Sequence, residues 1–369
     1  MIKKAHCYIL SQTKDFFSLA TQELAQDFSS TMPIQNGRAR LMAASLLYAL
    51  YAGARRHALV RAIANADRIG PEWLGIGTST VLETFSRLIG ARQASDVEMT
   101  PLDARRQHIV VWHPHGFIAW SAMFVLGKYA IKGRPAGLQW QACVLPVLFK
   151  IPVISELLMI CNARPCDRAT VESYLRKGWS IGLTPGGARE QLATRTDQEQ
   201  AIFPAGLGFI RLALQYGCDL LPCYIFNENQ MFDRVEGLDW AAAALRRITG
   251  LSVPAIKGKF GIPQLLIPKR TDIHVRWGVP IVVERHLDPT DDAVEKLFQT
   301  YLNHLLDLFH TFANECLPPE IAAKGLRIVR LDGGPVPRHR PPGAAPSYQP
   351  NLSRTDMLDA SGAPALSRL

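Results

Sequence analysis

His113 and His115, separated by Pro114 and followed by Gly116, are the residues of this sequence whose type and spacing most directly offer chemistry. An imidazole titrates near pH 6.5 in the absence of perturbation, so a neutral ring can take a proton from a hydroxyl at physiological pH. The pair follows Ile109-Val110-Val111-Trp112, an apolar run rich in β-branched and aromatic residues that predicts a buried strand. Pro114 and Gly116 predict the turn that ends it. Open α/β sheets present their chemistry in this way, at the carboxyl ends of strands. Two other readings stand beside this one. A histidine in apolar surroundings can be a core residue, and a His-x-His step on a strand would put both rings on one side of the sheet, as metal ligands require. The other histidines form no second tight cluster with Cys or Asp.

The elements that must position such a pair recur downstream. Ile181 to Thr184 predicts a strand, and Pro185-Gly186-Gly187 a tight turn whose backbone N–H groups can face an anion or a developing oxyanion. Arg189 and Glu190 follow at once. Gly206 and Gly208 lead into a helix with Phe209, Ile210, Leu212, Ala213 and Leu214 apolar, Arg211 polar and Gly217 as its stop. Leu220 to Phe226 predicts the next strand. Upstream, Asp167 is placed to cap a helix carrying Val171, Tyr174 and Leu175 on one face. The apolar segment 141–161 is broken by Pro146, Lys150 and Pro152, which predicts a strand and a helix lining a lipid-binding groove rather than a membrane span. Further strands are expected at Ile273–Trp277 and Pro280–Val283. Pro289 and Thr290 then open a long helix in which Val294, Leu297, Phe298, Tyr301, Leu305, Leu308 and Phe312 fall at packing positions. Strand, turn, helix and strand in repetition predict an α/β fold with a central, mostly parallel sheet flanked by helices.

Composition narrows the class. The 369 residues are 48% hydrophobic with a formal net charge of +9, yet no run reaches the roughly 18 apolar residues of a spanning helix. Positive charge favours an anionic partner, and no Lys/Arg tract interleaved with aromatics points to nucleic acid. The apolar block 41–54, with Arg38 and Arg40 before it and Arg55 and Arg56 after it, predicts an N-terminal membrane-associated helix. Seven cysteines without a CxxC predict a reducing compartment, and the N-terminus lacks the apolar stretch of a secretory signal. The expected organisation is a membrane-associating region over 1–106, a catalytic domain over 107–332 and a disordered Pro-rich tail over 333–369.

Taken in order, the stretches HPHG, LFKIPVISELLMI, PGGAREQL and GFIRLALQYGCDLLPCYIFNEN resemble the diacylglycerol acyltransferase type 2 family, which includes monoacylglycerol and wax-alcohol acyltransferases. The resemblance covers roughly 107–324. It implies a fold similar to that of the glycerol-phosphate acyltransferases, and transfer of a fatty acyl group from acyl-coenzyme A to the hydroxyl of a neutral lipid, with no resident cofactor. The partners implied are acyl-coenzyme A, a neutral lipid acceptor and a membrane surface, at the cytosolic face of the endoplasmic reticulum or on lipid droplets. Nucleic acid is not among them, and a homo-oligomer is left open. Within that resemblance His115 is the general base, since related plant proteins keep only the second imidazole of this turn. His113 then positions it, and Glu190 is the carboxylate expected to orient it. Pro114 and Gly116 shape the turn, Gly186 and Gly187 offer amides to an oxyanion or phosphate, and Arg189 and Arg211 are candidates for the coenzyme A phosphates. No serine or cysteine sits in a nucleophile-elbow pattern, which favours direct transfer. Where the family carries a basic pair before Gly-Phe, this chain has Ala205, Gly206 and Leu207. A lipid-binding relative that has lost the coenzyme A site is one alternative, and a metal-dependent hydrolase using His113 and His115 is another.

Overall fold

A computed structural model describes residues 70–337 except 100, 101, 104, 123, 124, 152, 239 and most of 241–253, together with scattered positions between 43 and 62. The chain divides into two compact units, 1–61 and 62–369. Most of the apolar block 41–54, residues 1–40 and the tail beyond 337 lie outside the described residues. Among the described residues no helix is long and apolar enough to cross a membrane, and the block expected to form a membrane-associated helix lies mostly outside them.

The second unit begins with helix α1 (Glu72–Ile89) and strands β1 (Ala91–Glu98), β2 (His108–His113) and β3 (Trp140–Val144). Helix α2 (Ile154–Ile160), β4 (Ala163–Pro165), α3 (Arg168–Arg176), β5 (Ser180–Leu183), α4 (Gly187–Ala193) and β6 (Glu199–Phe203) follow. Next come α5 (Gly208–Tyr216), β7 (Asp219–Phe226), the short β8 (Asp233–Arg234) and β9 (Ile256–Lys257), β10 (Thr271–Trp277), α6 (Asp291–Cys316) and β11 (Leu326–Arg330). Seven strands form the central sheet in the order β1-β10-β7-β2-β5-β3-β4. All neighbours pair parallel except β10 with β7. The predicted mostly parallel α/β sheet is present.

Every residue of β2 and β7 is buried, as expected for central strands of a sheet covered on both faces. Asp167 caps α3 by accepting the Thr170 N–H at 2.9 Å, and Val171, Tyr174 and Leu175 are its buried face. Gly217 ends α5 in the left-handed region. Thr290 caps α6, whose Phe298 and Tyr301 pack around Phe203 and Phe209 at ring centroid distances of 5.0 to 6.5 Å.

One expectation needs correction. Pro280–Val283 is not a strand: Ile281 makes a single bridge to Leu220, and Val283 donates instead to the Asp219 carboxylate at 3.0 Å. Conversely β1, with the polar text ARQASDVE, was hidden from a hydrophobic pattern. Tertiary partners hold it: Arg92 pairs with Asp272 at 2.7 Å and Asp96 accepts the Trp277 indole N–H at 2.7 Å.

Gly182 in β5 lies against the rings of Trp140 and Trp112, and a Cβ there would come within 2.8 Å of Trp112 while colliding with Trp140. Gly182→Ala is expected to lower stability by roughly 1–3 kcal/mol, measured as a fall in the urea midpoint with unchanged slope.

Candidate active site

Strand β2 delivers its last residue, His113, to a fully buried position. Its Nδ1 lies 3.4 Å from Oε2 of Glu190, and its ring meets Phe203 edge-on at 5.1 Å. The chain then leaves the sheet through a cis peptide to Pro114. Strand β2 ends at His113, and His115 does not follow it onto the same face. His115 is half-buried and lines a separate cavity, whereas His113 is not among the lining residues. This corrects the picture of two convergent imidazole ligands. Among the described residues, no group of three or more His, Cys, Asp or Glu is placed to hold a metal ion.

The turn is held from beneath by two carboxylates. Glu190 accepts the backbone N–H of His115 at 2.6 Å and that of Ile202 at 3.0 Å. The expectation that Glu190 orients the ring of His115 is corrected: its side-chain partner is His113, and it reaches His115 through the main chain. Burial pushes the Glu190 carboxyl upward, but His113 and the two backbone N–H groups outweigh it, and the group is held below its ordinary value, charged. On the other side Glu228 accepts the Ser121 N–H at 3.1 Å. Gly116, at φ +65°, sits so close over Glu228 that a Cβ would lie 2.6 Å from its Cγ. Gly186 is equally constrained, since a Cβ there would strike the Glu190 carboxylate.

The cavity that His115 lines has a volume of about 440 Å³, within the size range of ligand sites. Its wall is Leu82 of α1, Trp112, and above all the 141–161 segment, which contributes Cys143, Leu145, Leu148 and Leu157. That segment is the strand and helix expected to line a groove. The His115 Nδ1 lies 3.1 Å from the Gly116 carbonyl. A carbonyl only accepts, so Nδ1 carries the proton and Nε2 is left as the acceptor. Burial, outweighing the Gly116 carbonyl and the Glu190 charge, holds the imidazole below its ordinary value and hence neutral at pH 7.

The other predicted residues separate. Gly187 lines the cavity, but its N–H already donates to the Thr184 carbonyl at 3.2 Å, so it is not an idle oxyanion donor. Arg189 is exposed on α4 and has no ion-pair partner among the described residues. Arg211 is not aimed at the cavity: it donates to the Pro289 carbonyl at 2.8 Å and to Asp291 at 2.6 Å, tying α5 to the start of α6. Three groups escaped sequence reasoning. Thr184 lines the cavity, and Glu199 and Glu228 are buried acids. Glu199 accepts from Tyr224 at 2.6 Å, Asn229 at 2.9 Å and Gln230 at 2.8 Å. The available signal was an acid inside the apolar text of β6 facing amide residues after β7.

A mostly parallel α/β sheet with an imidazole lining an apolar cavity is a candidate enzyme site. The sequence pattern described as diacylglycerol acyltransferase matches residues 93–320, and the chain belongs to that family. It is an acyltransferase. The chain is similar to diacylglycerol O-acyltransferase 2 of Dictyostelium discoideum, 31% identical over 229 residues that cover 59% of this chain and 69% of that one. It is also similar to 2-acylglycerol O-acyltransferase 1 of Bos taurus, 31% identical over 59% of this chain and 69% of that one. A structural likeness to the 1-acyl-sn-glycerophosphate acyltransferase of Thermotoga maritima covers 60% of this chain and 76% of that one at 14% identity; its TM-score of 0.34 carries no weight.

Glu228 gives the site a pH dependence of its own. Burial pushes its carboxyl up to about 7, so the folded state keeps a proton that the unfolded chain releases near pH 4.5. Between those values the native state binds more protons, and stability falls as pH rises through that window. The Tm difference between Glu228→Gln and the parent is expected to shift in the variant's favour from pH 5 to pH 8, read by thermal melts across that range. A constant difference would remove the carboxyl from the titration.

Proposed function

We propose that this chain transfers a fatty acyl group from acyl-coenzyme A to the hydroxyl of diacylglycerol or monoacylglycerol, with His115 as general base. The observation that carries this reading is the cavity lining: one imidazole, neutral and with Nε2 unblocked, among leucine, alanine, cysteine and tryptophan. The acceptor hydroxyl gives its proton to Nε2 as its oxygen attacks the thioester carbonyl. The tetrahedral intermediate then collapses, the C–S bond breaks, and the coenzyme A thiolate takes the proton back from the imidazolium. Nδ1, held on the Gly116 carbonyl, keeps the ring in one tautomer throughout.

For the oxyanion the lining offers the Thr184 hydroxyl, because the Gln191 amide already donates to the Phe117 carbonyl at 2.6 Å. Of the two arginines expected at the coenzyme A phosphates, Arg189 remains, since Arg211 is tied to Asp291. The reaction needs no resident cofactor, since acyl-coenzyme A enters as co-substrate. The cytosolic face of the endoplasmic reticulum membrane and the lipid droplet surface are where both substrates meet. One observation favours a second reading, a lipid-binding relative without turnover: Arg211 is tied to Asp291, and Ala205 to Leu207 supply no cations.

Membranes containing the protein are supplied with labelled oleoyl-coenzyme A and with diacylglycerol, monoacylglycerol or hexadecanol. Product is expected with a glyceride, and His115→Ala is expected to reduce the rate by about 10²–10⁴-fold. The rate is expected to fall on acidification with an apparent pKa below 6.5, because the neutral imidazole is the active form and burial lowers its pKa. Lipid binding without product from any acceptor would establish the second reading, and full activity in His115→Ala would displace His115 as the base.

A further inference from the structure

Helix α1 has two unlike faces. On the inner side Gly75, Ser79 and Ser86 are buried and Leu82 lines the cavity. The outer side carries Trp73, Val81, Phe85 and Leu88, all exposed, with Leu88 at 78%. Gly77 lies between Trp73 and Val81, so the steps of four, four, four and three residues follow one stripe along the helix. Thr80 and Thr84, also on the exposed side, turn their hydroxyls back onto the carbonyls of Ile76 and Thr80 at 2.8 Å each. That face therefore presents methyl groups rather than hydroxyl donors.

The stripe does not end with the helix. Gly90 follows α1, its carbonyl accepts the Thr271 N–H at 2.9 Å, and a Cβ on it would lie 3.3 Å from the Pro268 carbonyl. Pro268 closes the loop 258–267, which exposes Phe260, Ile262, Leu265 and Leu266. Lys259 donates its N–H to the Ile267 carbonyl at 3.0 Å, pinching the loop so that these side chains stand at its tip. Helix and loop share one support. Trp120, from the turn that carries His115, donates its indole N–H to Ser86 of α1 at 2.6 Å and packs at 5.7 Å on Phe232, which in turn lies beneath Gly258.

Charge selects the occupant. Arg87, Lys259 and Arg270 are exposed around this surface, and among the described residues none of them makes an ion pair with a carboxylate. Two nearby acids are neutralised, Glu83 by Lys128 at 2.9 Å and Asp272 by Arg92 at 2.7 Å. A second copy of the chain would bring two cationic rims together, which is unfavourable. An apolar centre with a cationic rim matches an anionic lipid surface.

We propose that the outer stripe of α1 and the tip of the 258–267 loop form one face that lies in the surface of an anionic bilayer or droplet. Trp73, Phe85, Leu88, Phe260 and Leu266 enter the boundary between headgroups and acyl chains, and Arg87, Lys259 and Arg270 stay among the headgroups. The face is distinct from the 41–54 block. It deepens the proposed function, resting on that reading only in taking the acceptor to be membrane-borne. Leu82, on the opposite side of the same helix, lines the cavity, so α1 stands between the lipid layer and the site.

The full-length protein is mixed with phosphatidylcholine–phosphatidylserine vesicles containing brominated phosphatidylcholine, and tryptophan quenching is compared with that of Trp73→Phe. The chain has 7 tryptophans, so the difference isolates Trp73. Quenching of the Trp73 component is expected, and Phe85→Asp/Leu88→Asp and Phe260→Asp/Leu266→Asp are each expected to weaken vesicle binding by roughly tenfold or more. Arg87→Glu/Lys259→Glu is expected to do so only when phosphatidylserine is present. A vesicle-bound protein whose Trp73 stays unquenched, or a protein that ignores vesicles, would overturn the proposal. So would Trp73 shielded at rising protein concentration without lipid, which would give the face to a second copy. Quenching is read without turnover, so a protein that docks through Trp73 but transfers no acyl group would leave this proposal standing and remove the enzymatic one.

Discussion

A buried carboxylate with neither Lys nor Arg beside it must draw its compensation from dipoles and imidazole, and where it finds them dictates what can surround it. Glu190 is such a group. Its oxygens take the N–H of His115, the N–H of Ile202 in β6 and the approach of His113 Nδ1. One side chain thereby ties together the end of β2, the start of the turn that carries His115, and strand β6. The requirement spreads outward. Gly186 has to be glycine because the carboxylate occupies the space of a side chain, and His113 has to be buried to meet it. His113 is then unavailable to substrate, which leaves His115 to face the cavity.

Glu228 plays the corresponding part at the far end of the turn with the opposite charge state favoured. It has backbone donors but no cation, so burial prevails and its carboxyl rises to about 7. Glu199 is raised like Glu228. Three side-chain donors surround it, yet burial and the nearby Glu190 charge still raise it. The turn that carries His115 is thus suspended between a charged carboxylate and one poised to titrate. Gly116, closed over Glu228, transmits that arrangement to the ring through its carbonyl, the acceptor for Nδ1.

What was legible in the chain follows from whether local chemistry or a distant partner decides each element. The Ile109–Trp112 strand, the Asp167 cap, the Gly217 stop and the Thr290 start carry their reasons within a few residues, and the structure has them. β1 does not, because its stability comes from Asp272 and Trp277, some 180 positions away in the chain. The same distinction runs through the site. The imidazoles and the glycine turn were visible as motifs. That Glu190 meets the ring of His113 and not that of His115 depends on strand register between β2 and β5, and that Arg211 serves Asp291 depends on the packing of α5 against α6. Spacing along the chain encodes neither.

The apolar lining also decides which of its polar groups can act, and in which role. Removal from water disfavours the charged form of any titratable group. For His115 that form is the imidazolium, so desolvation lowers its pKa and leaves a neutral base. For a thiol the charged form is the nucleophile. Cys161 is pushed up to about 11, and Cys143 and Cys166, which line the same cavity, are raised as well. One cause therefore keeps the imidazole unprotonated and the thiols protonated. Only a thiolate attacks a thioester efficiently, so within the proposed mechanism an acyl-enzyme on these cysteines is disfavoured and direct attack by the acceptor hydroxyl is favoured.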